Sequence, residues 1–546
     1  MIKVKLNNQI LDVPKGTKLL DLLDKDIQKN YYTCLVNGRI RELNFKISFD
    51  AEIEFQDITN IESMKTYEAS VRYLIAKAFY ELYPDKKVIF SYNVSRSILV
   101  RSNTPGFIID SNVVKNIDAY LKELMEKDLP IERYTFTLEE GKDIYNKFNL
   151  EDKLDILKYR PETNIHLYKC GDYYNYTHSY MVPSTGFIKE VILKAYAPGI
   201  IVQYPRAETK GMIPHFEESR VYGKTLKDAA KWAKTINCET ISKINEKVDP
   251  MYARDFIQTC ETKHNNMLAE LGEMIQKDIE NIRLIAIAGP SSSGKTTFSN
   301  RLRIELMSRG IFPVTLSIDN YYMDRDKILP NEDGEIDLED INTIDVELFN
   351  QHLLALINGE TVDMPIFDFN VAKRTHYKKV SIPKNVPIVI EGIHALNEQM
   401  SSSIPAHQKF KIFISPQIQI NIDDHSPIST TDLRLIRRMV RDKQFRNASA
   451  EHTFSMWKSV RNGEFKWIYP HQETSNYVYN SELTYELCVL KKYALPLLKE
   501  ITPDNPYFIT ANRLIKYLKY FKEIDESAIP CNSLIREFIG VSCFEV

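Results

Sequence analysis

The stretch Leu284–Thr297, LIAIAGPSSSGKTT, constrains this chain more than any other. Its first five residues, Leu284 to Ala288, are mostly apolar and predict a buried parallel strand. Gly289-Pro290-Ser291-Ser292-Ser293-Gly294-Lys295-Thr296 follows and matches G-x-x-x-x-G-K-[ST]. Phe298, Leu302, Ile304, Leu306 and Met307 then lay an apolar stripe that ends at Gly310, predicting a helix. In a strand–loop–helix setting the loop's N–H groups curl around phosphate oxygens, and the helix N-terminus adds partial positive charge. Gly289 through Thr297 are therefore expected to bind a nucleoside triphosphate. Lys295 would reach the β- and γ-phosphates, and Thr296 would ligate Mg²⁺. A Ser/Gly loop that merely joins two elements is the alternative, and the flanks weigh against it.

At 546 residues the chain has room for roughly three or four domains. A net charge of −3 gives bulk electrostatics no pull on a polyanion, so a nucleic-acid site would have to be a local patch. The seven cysteines are odd in number and lack C-x-x-C spacing, which argues against a disulfide framework or a zinc ribbon and for a reducing, cytoplasmic setting. The opening MIKVKLNNQI has no apolar core of a signal peptide, and no run approaches the ~20 residues of a membrane span.

Residues 1–60 read as a small β-rich unit. Ile2, Val4 and Leu6 alternate, Ile10, Leu11 and Val13 return, and Thr17 is placed to cap a short helix through Leu19–Leu23. Cys34–Val36, the turn Asn37-Gly38 and Ala51–Phe55 complete a β-grasp pattern. With V-x-L-N-x-x-x-L-D-V-P-K-G-T and the closing D-A-E-I-E-F, this stretch resembles the TGS domain of threonyl-tRNA synthetases. Residues 61–220 resemble the second additional, editing domain of the same synthetases, notably at His178-Ser-Tyr-Met-Val-Pro-Ser-Thr-Gly-Phe-Ile-Lys189. That family uses a His-x-x-x-His pair and a Cys-x-x-x-His pair. Here the matching positions hold Ala69, Tyr73, Tyr174 and His178, so only one ligand survives and hydrolytic editing is not expected. The resemblance implies an RNA or regulatory contact through residues 1–220, with a passive interaction module as the alternative. Tyr168, Tyr173, Tyr174, Tyr176 and Tyr180 are either base-stacking platforms or sheet core. Residues 221–281 are helical and read as a connector, with His264 packed in an apolar stripe.

Residues 282–500 alternate β-type runs (Phe312–Ile318, Ile388–Glu391, Phe410–Ile414) with helical stretches, predicting a doubly wound parallel sheet. Three polar clusters fall at strand ends. Asp319, in Ser317-Ile-Asp319-Asn320-Tyr321-Tyr322, is placed to accept the proton of an attacking hydroxyl and to help hold Mg²⁺. Glu391 ends an apolar strand, where an acid binds Mg²⁺ directly or through water. Arg434, Arg437, Arg438 and Arg441 share one helical face, with Arg446 beyond. They are expected to form a mobile lid: Arg437 and Arg441 over the transferring group, Arg434 and Arg446 toward the substrate. A solvated charged face is the plainer alternative.

The P-loop, L-S-I-D-N-Y-Y, P-I-F-D-F-x-x-x-x-R-T, V-I-E-G-I-H-A-L and R-L-I-R-R-M-V-R-D together resemble the uridine kinase/phosphoribulokinase family of P-loop kinases. The resemblance spans about 283–500 and implies ATP- and Mg²⁺-dependent phosphorylation of a primary hydroxyl, typically the 5′-OH of uridine or cytidine. It makes Asp319 the base, sets Glu339 where an Asp holds the ribose hydroxyls, and puts Arg374 in the substrate loop. It also marks departures: Phe367 and Ala372 stand where Tyr and His read the pyrimidine edge, although Phe369 can still stack on a base. The expected architecture is thus an α/β P-loop kinase preceded by a β-grasp domain and an α+β editing-like domain, with a helical tail over 501–546. Kinases of other sugar-like or nucleoside-derived hydroxyls, and an ATP-switched RNA-binding regulator, remain as alternatives. The expected partners are a small-molecule acceptor, RNA, and further copies of the chain in a homo-oligomer, but no membrane.

Overall fold

The computed structural model describes residues 1–7, 9–324, 326, 328, 339–368 and 371–545. Its C-terminal half is built on a five-stranded sheet, in the order Val314–Ser317, Ile388–Glu391, Leu284–Ala288, Lys409–Ser415, Tyr477–Asn480. All four pairings are parallel. Leu284–Ala288 is buried along its whole length because helices cover both faces, which is why it reads as an unbroken apolar run. It is central: the chain runs from it to Val314–Ser317 and Ile388–Glu391 on one side, then crosses to Lys409–Ser415 and Tyr477–Asn480 on the other. Its C-terminal end is therefore a topological switch point, the crevice where ligands of such sheets gather. Two elements went unread in the sequence: the edge strand Tyr477–Asn480, and an antiparallel hairpin of Val362–Asp368 with Lys373–Val380.

The segment expected as a connector is part of this half's core. The helix Ala253–Lys277 buries Ile257, Leu268, Leu271 and Ile275 against Leu302 and Leu306 of the helix Lys295–Ser308. The tail joins the same core through Leu514, Leu518, Leu534 and Phe538.

In the N-terminal half, a five-stranded sheet runs in the order Gln9–Val13, Ile2–Leu6, Ala51–Asp57, Tyr31–Val36, Arg39–Arg41. Thr17 does not cap the short turn after it; its hydroxyl donates to Pro14 O at 2.7 Å, which fixes the preceding loop instead. Asn60 caps the helix Ile61–Leu82, accepting from Glu62 N at 2.9 Å. This helix is buried nearly all round, because one continuous core places Val4 and Leu19 with Tyr67, Phe79, Phe90 and Ile200. Residues on both sides of position 60 therefore share one interior.

The halves are bonded through their backbones. Phe90 N donates to Asp424 O at 2.8 Å, and the Asn421 side chain returns a bond to Phe90 O at 2.8 Å. Among the described residues no helix is long and apolar enough to cross a membrane.

Candidate active site

The loop after Leu284–Ala288 turns at Gly294, whose φ of +91° lies in the left-handed region that glycine tolerates. The helix Lys295–Ser308 begins there with no cap from the side chain of its N-cap residue, and of its first-turn N–H groups that of Thr297 donates to Glu537 Oε2 at 3.0 Å. Lys295 curls back over the loop, its Nζ donating to Gly289 O at 3.0 Å and Pro290 O at 3.3 Å. The hydroxyls of Ser292, Ser293 and Thr297 are buried without a partner among the described residues. Buried polar groups are nearly always bonded, so this concentration of free donors fits a polyanionic ligand. Thr296, half-buried beside them, keeps its hydroxyl at the helix start, where Mg²⁺ would be held.

Asp319 follows the strand Val314–Ser317 in a tight helical turn, and Glu391 ends the strand between that one and Leu284–Ala288. The register sets Glu391 beside both Ser317 and Ile287, so the acid stands at the crevice floor. Burial, reinforced by the charge of Asp319 and opposed by Lys295, raises the Glu391 carboxyl to about 7. Burial also raises Asp319, against the pull of Lys295 and Arg446. Burial lowers the Lys295 ammonium, against the pull of Glu391, Asp319 and Glu537. Two half-buried acids set against one half-buried cation leave negative charge that a divalent cation would offset. The site thus fits both a triphosphate and Mg²⁺.

The arginine helix, Thr430–Arg446, is not a lid. Most of its residues from Asp432 to Asp442 are buried, and Arg434 and Arg437 are 1% and 0% exposed. Arg434 donates to Ser291 O at 2.9 Å and forms a two-point pair with Glu464. Arg437 donates to Ser292 O at 3.4 Å and to Ser481 O at 2.7 Å, and pairs with Glu486. Neither guanidinium is available to a substrate or a transferring phosphoryl group; both hold the loop's carbonyls from behind. Only the helix's far end faces the site. Arg441 is an electrostatic neighbour of Lys295, and Arg446, with a side chain 61% exposed, is one of Asp319. Arg438, which donates to Ser291 Oγ at 2.8 Å, is a further contact to the loop.

On the acceptor side, Phe367 lies in the hairpin with its ring 5.7 Å from that of Tyr322, close to the turn that carries Asp319. Arg374 does not point to an acceptor. Its guanidinium donates to Tyr321 O (2.8 Å), Tyr322 O (3.0 Å) and Asp345 Oδ2 (3.1 Å), so it clamps the hairpin onto that turn. Glu339 packs against Gly463 and is an electrostatic neighbour of Arg438. Phe369 lies outside the described residues.

In the front half, Ala69 and Tyr73 are buried within the helix Ile61–Leu82, and His178 is 3.1 Å from Asp423 of the other half. Among the described residues no three His, Cys, Asp or Glu side chains gather as metal ligands. Tyr168 and Tyr173 are core, 1% and 2% exposed, which removes them as base-stacking platforms. The signal missed in the sequence is Glu537, whose carboxylate reaches Thr297 N from 240 residues away.

A parallel sheet with a phosphate-binding loop at its switch point and acids on two neighbouring strand ends defines a P-loop phosphotransferase fold. Residues 284–484 match the Phosphoribulokinase / Uridine kinase family, and over that span the chain carries this family's domain. It is 27% identical over 188 residues to the uridine kinase of Halalkalibacterium halodurans, covering 34% of this chain and 80% of the kinase. It is 28% identical over 194 residues to the uridine kinase of Ureaplasma parvum, covering 35% and 85%. The N-terminal region is similar instead to threonine–tRNA ligase. With that of Clostridium kluyveri it shares 27% identity over 202 residues, 36% of this chain but only 32% of the ligase's length.

Proposed function

We propose that this chain is an ATP- and Mg²⁺-dependent kinase that phosphorylates a primary hydroxyl of a nucleoside or sugar-like acceptor, with the 5′-hydroxyl of uridine or cytidine the leading candidate. The observation that carries this reading is the half-buried, electrostatically coupled grouping of Lys295, Asp319 and Glu391 at the mouth of the phosphate-binding loop. ATP supplies the phosphoryl group, and Mg²⁺ neutralises its charge. Asp319 accepts the proton of the acceptor hydroxyl as its oxygen bonds to the γ-phosphorus and the bond to ADP breaks. Lys295 and the loop N–H groups bind the phosphates, Thr296 and Glu391 hold the ion, and Arg441 and Arg446 face the charge that develops. Phe367 and Ala372 offer no side-chain hydrogen bond to a base edge, which supports a looser base preference than a polar pair would give.

The similarity to threonine–tRNA ligase supports a second element, an RNA contact on residues 1–220. The test is ATP-dependent phosphorylation of uridine, cytidine, purine nucleosides and ribulose 5-phosphate by wild type, Lys295→Ala and Asp319→Asn. Turnover of a nucleoside that both variants lose is expected. ATP binding with no turnover on any acceptor would overturn the kinase reading in favour of an ATP-switched RNA regulator.

A further inference from the structure

We propose that the segment Leu534–Phe538 is the chain's own ligand for its phosphate-binding loop, so that a nucleoside triphosphate binds only as this segment withdraws. The inference rests on reading that loop as a nucleotide site.

Glu537 Oε2 accepts from Thr297 N at 3.0 Å. Thr297 lies in the first turn of the helix Lys295–Ser308, among the orphan donors that bind phosphate oxygens in such loops. A carboxylate there is an anion in an anion's place. Leu534 roofs the loop: a Cβ on Gly294 would come within 2.5 Å of its Cδ2. Phe538 lies beneath Arg437, the guanidinium carbon 5.0 Å from the ring centre, while the same arginine donates to Ser292 O. The ring therefore packs on the brace that holds the loop, while the anion on a helix N-terminal amide is the chemistry with which a protein holds a phosphate.

Charge makes the two occupants exclusive. Glu537 is an electrostatic neighbour of Lys295 and Glu391, so its carboxylate adds to the acids already at the site. A triphosphate approaching Thr297 N would meet that carboxylate at contact distance in a dry setting, where like charges repel strongly. One N–H cannot serve both. Ser533–Ile539 is buried in the core of this half, and exposed residues flank it at Cys531, Asn532 and Val541. Arg536 ties it to neighbouring turns of the same tail through Glu526 O (3.0 Å) and Ile529 O (2.9 Å), and Ser533 Oγ donates to Glu261 Oε1 of the helix Ala253–Lys277 at 2.5 Å, a bond that withdrawal would break.

The test uses the full chain. Hydrogen–deuterium exchange over residues 531–540 is followed with and without saturating ATP and Mg²⁺, and ATP dissociation constants are measured for wild type, Glu537→Gln and Glu537→Ala. Faster exchange in that segment on adding nucleotide is expected. Glu537→Ala should bind ATP about tenfold tighter or more, and Glu537→Gln, which keeps an acceptor but loses the charge, should fall between. If wild type binds ATP while the segment's exchange is unchanged or slower, or if Glu537→Ala binds more weakly, Glu537 supports the loop and the proposal is wrong. If no folded variant, wild type included, binds ATP, the nucleotide reading itself fails and takes this proposal with it.

Discussion

Arg437 and Glu486 meet in a buried two-point ion pair directly behind the phosphate-binding loop, with Nε 2.6 Å from Oε2 and Nη2 2.9 Å from Oε1. Removing one partner strands the other charge in the interior, at a cost of about 3–5 kcal/mol. Arg437→Ala and Glu486→Ala should each lower the denaturant midpoint sharply, whether or not substrate is present. Arg441→Ala and Arg446→Ala each remove one partner of the buried Asp442, at 3.4 and 3.3 Å, but leave that acid paired with Arg438 at 3.3 Å. They should unfold near the wild-type midpoint and lose turnover instead, and the contrast separates arginines that hold the loop from those that face the reaction.

This division was only half legible in the sequence. Helical spacing correctly put Arg434, Arg437, Arg438 and Arg441 on one face, because the 3.6-residue period is a local property. What that face would meet depended on Glu464 and Glu486, brought in by later elements, so a core brace read as a lid. Leu284–Ala288 and Ile388–Glu391 were legible because buried parallel strands are apolar runs with abrupt ends. Tyr477–Asn480 was not, since four residues carry no periodicity and the strand exists through its pairing with Lys409–Ser415. Glu537 had no local signature at all.

Arg374 presents a fork to two carbonyls and a carboxylate, a geometry that a lysine cannot reproduce. Arg374→Lys should therefore leave the sheet intact but loosen the hairpin over the Asp319 turn. Phosphoryl transfer should fall about tenfold or more, with ATP binding little changed because the phosphate-binding loop is not involved. Equal loss of ATP affinity and turnover would contradict this assignment.

Glu482 and Glu391 both make folding pH-dependent with the same sign. Burial, then the charge of Glu486, raises Glu482 to about 8 against the pull of Arg437, and Glu391 is raised to about 7. Unfolded, each carboxyl titrates near 4.5, so between about 4.5 and 8 the folded chain holds protons that the unfolded chain releases. Stability contributed by these groups is fully present below 4.5 and declines as pH rises through that window. Chemical unfolding at pH 5 and pH 8.5 should show the decline, and Glu482→Gln should reduce it by stabilising the protein at the higher pH. A variant whose pH profile superimposes on wild type would rule Glu482 out as a source.

The seam between the halves turns on Lys153 and Asp423, 2.8 Å apart and each 1% exposed. Burial alone would raise the Asp423 carboxyl, but the Lys153 ammonium, helped by His178 at 3.1 Å, holds it below the ordinary range. A depressed carboxyl contributes stability above its unfolded value near 3.8 and loses it only as pH falls through the lower folded value. Lys153→Met removes the main countercharge and should cost about 3–5 kcal/mol at neutral pH. The penalty should shrink in acid, where Asp423 can take up a proton rather than stay charged and unpaired. Lys153→Met with Asp423→Leu should recover much of the loss, because an apolar pair of similar volume can replace a buried ion pair. His178→Ala should cost far less than Lys153→Met, since Lys153 keeps its bond to Asp423 and its second bond, to Tyr176 O at 2.8 Å. If His178→Ala proved the more damaging change, the histidine and not the lysine would be what joins the synthetase-like front to the kinase-like half.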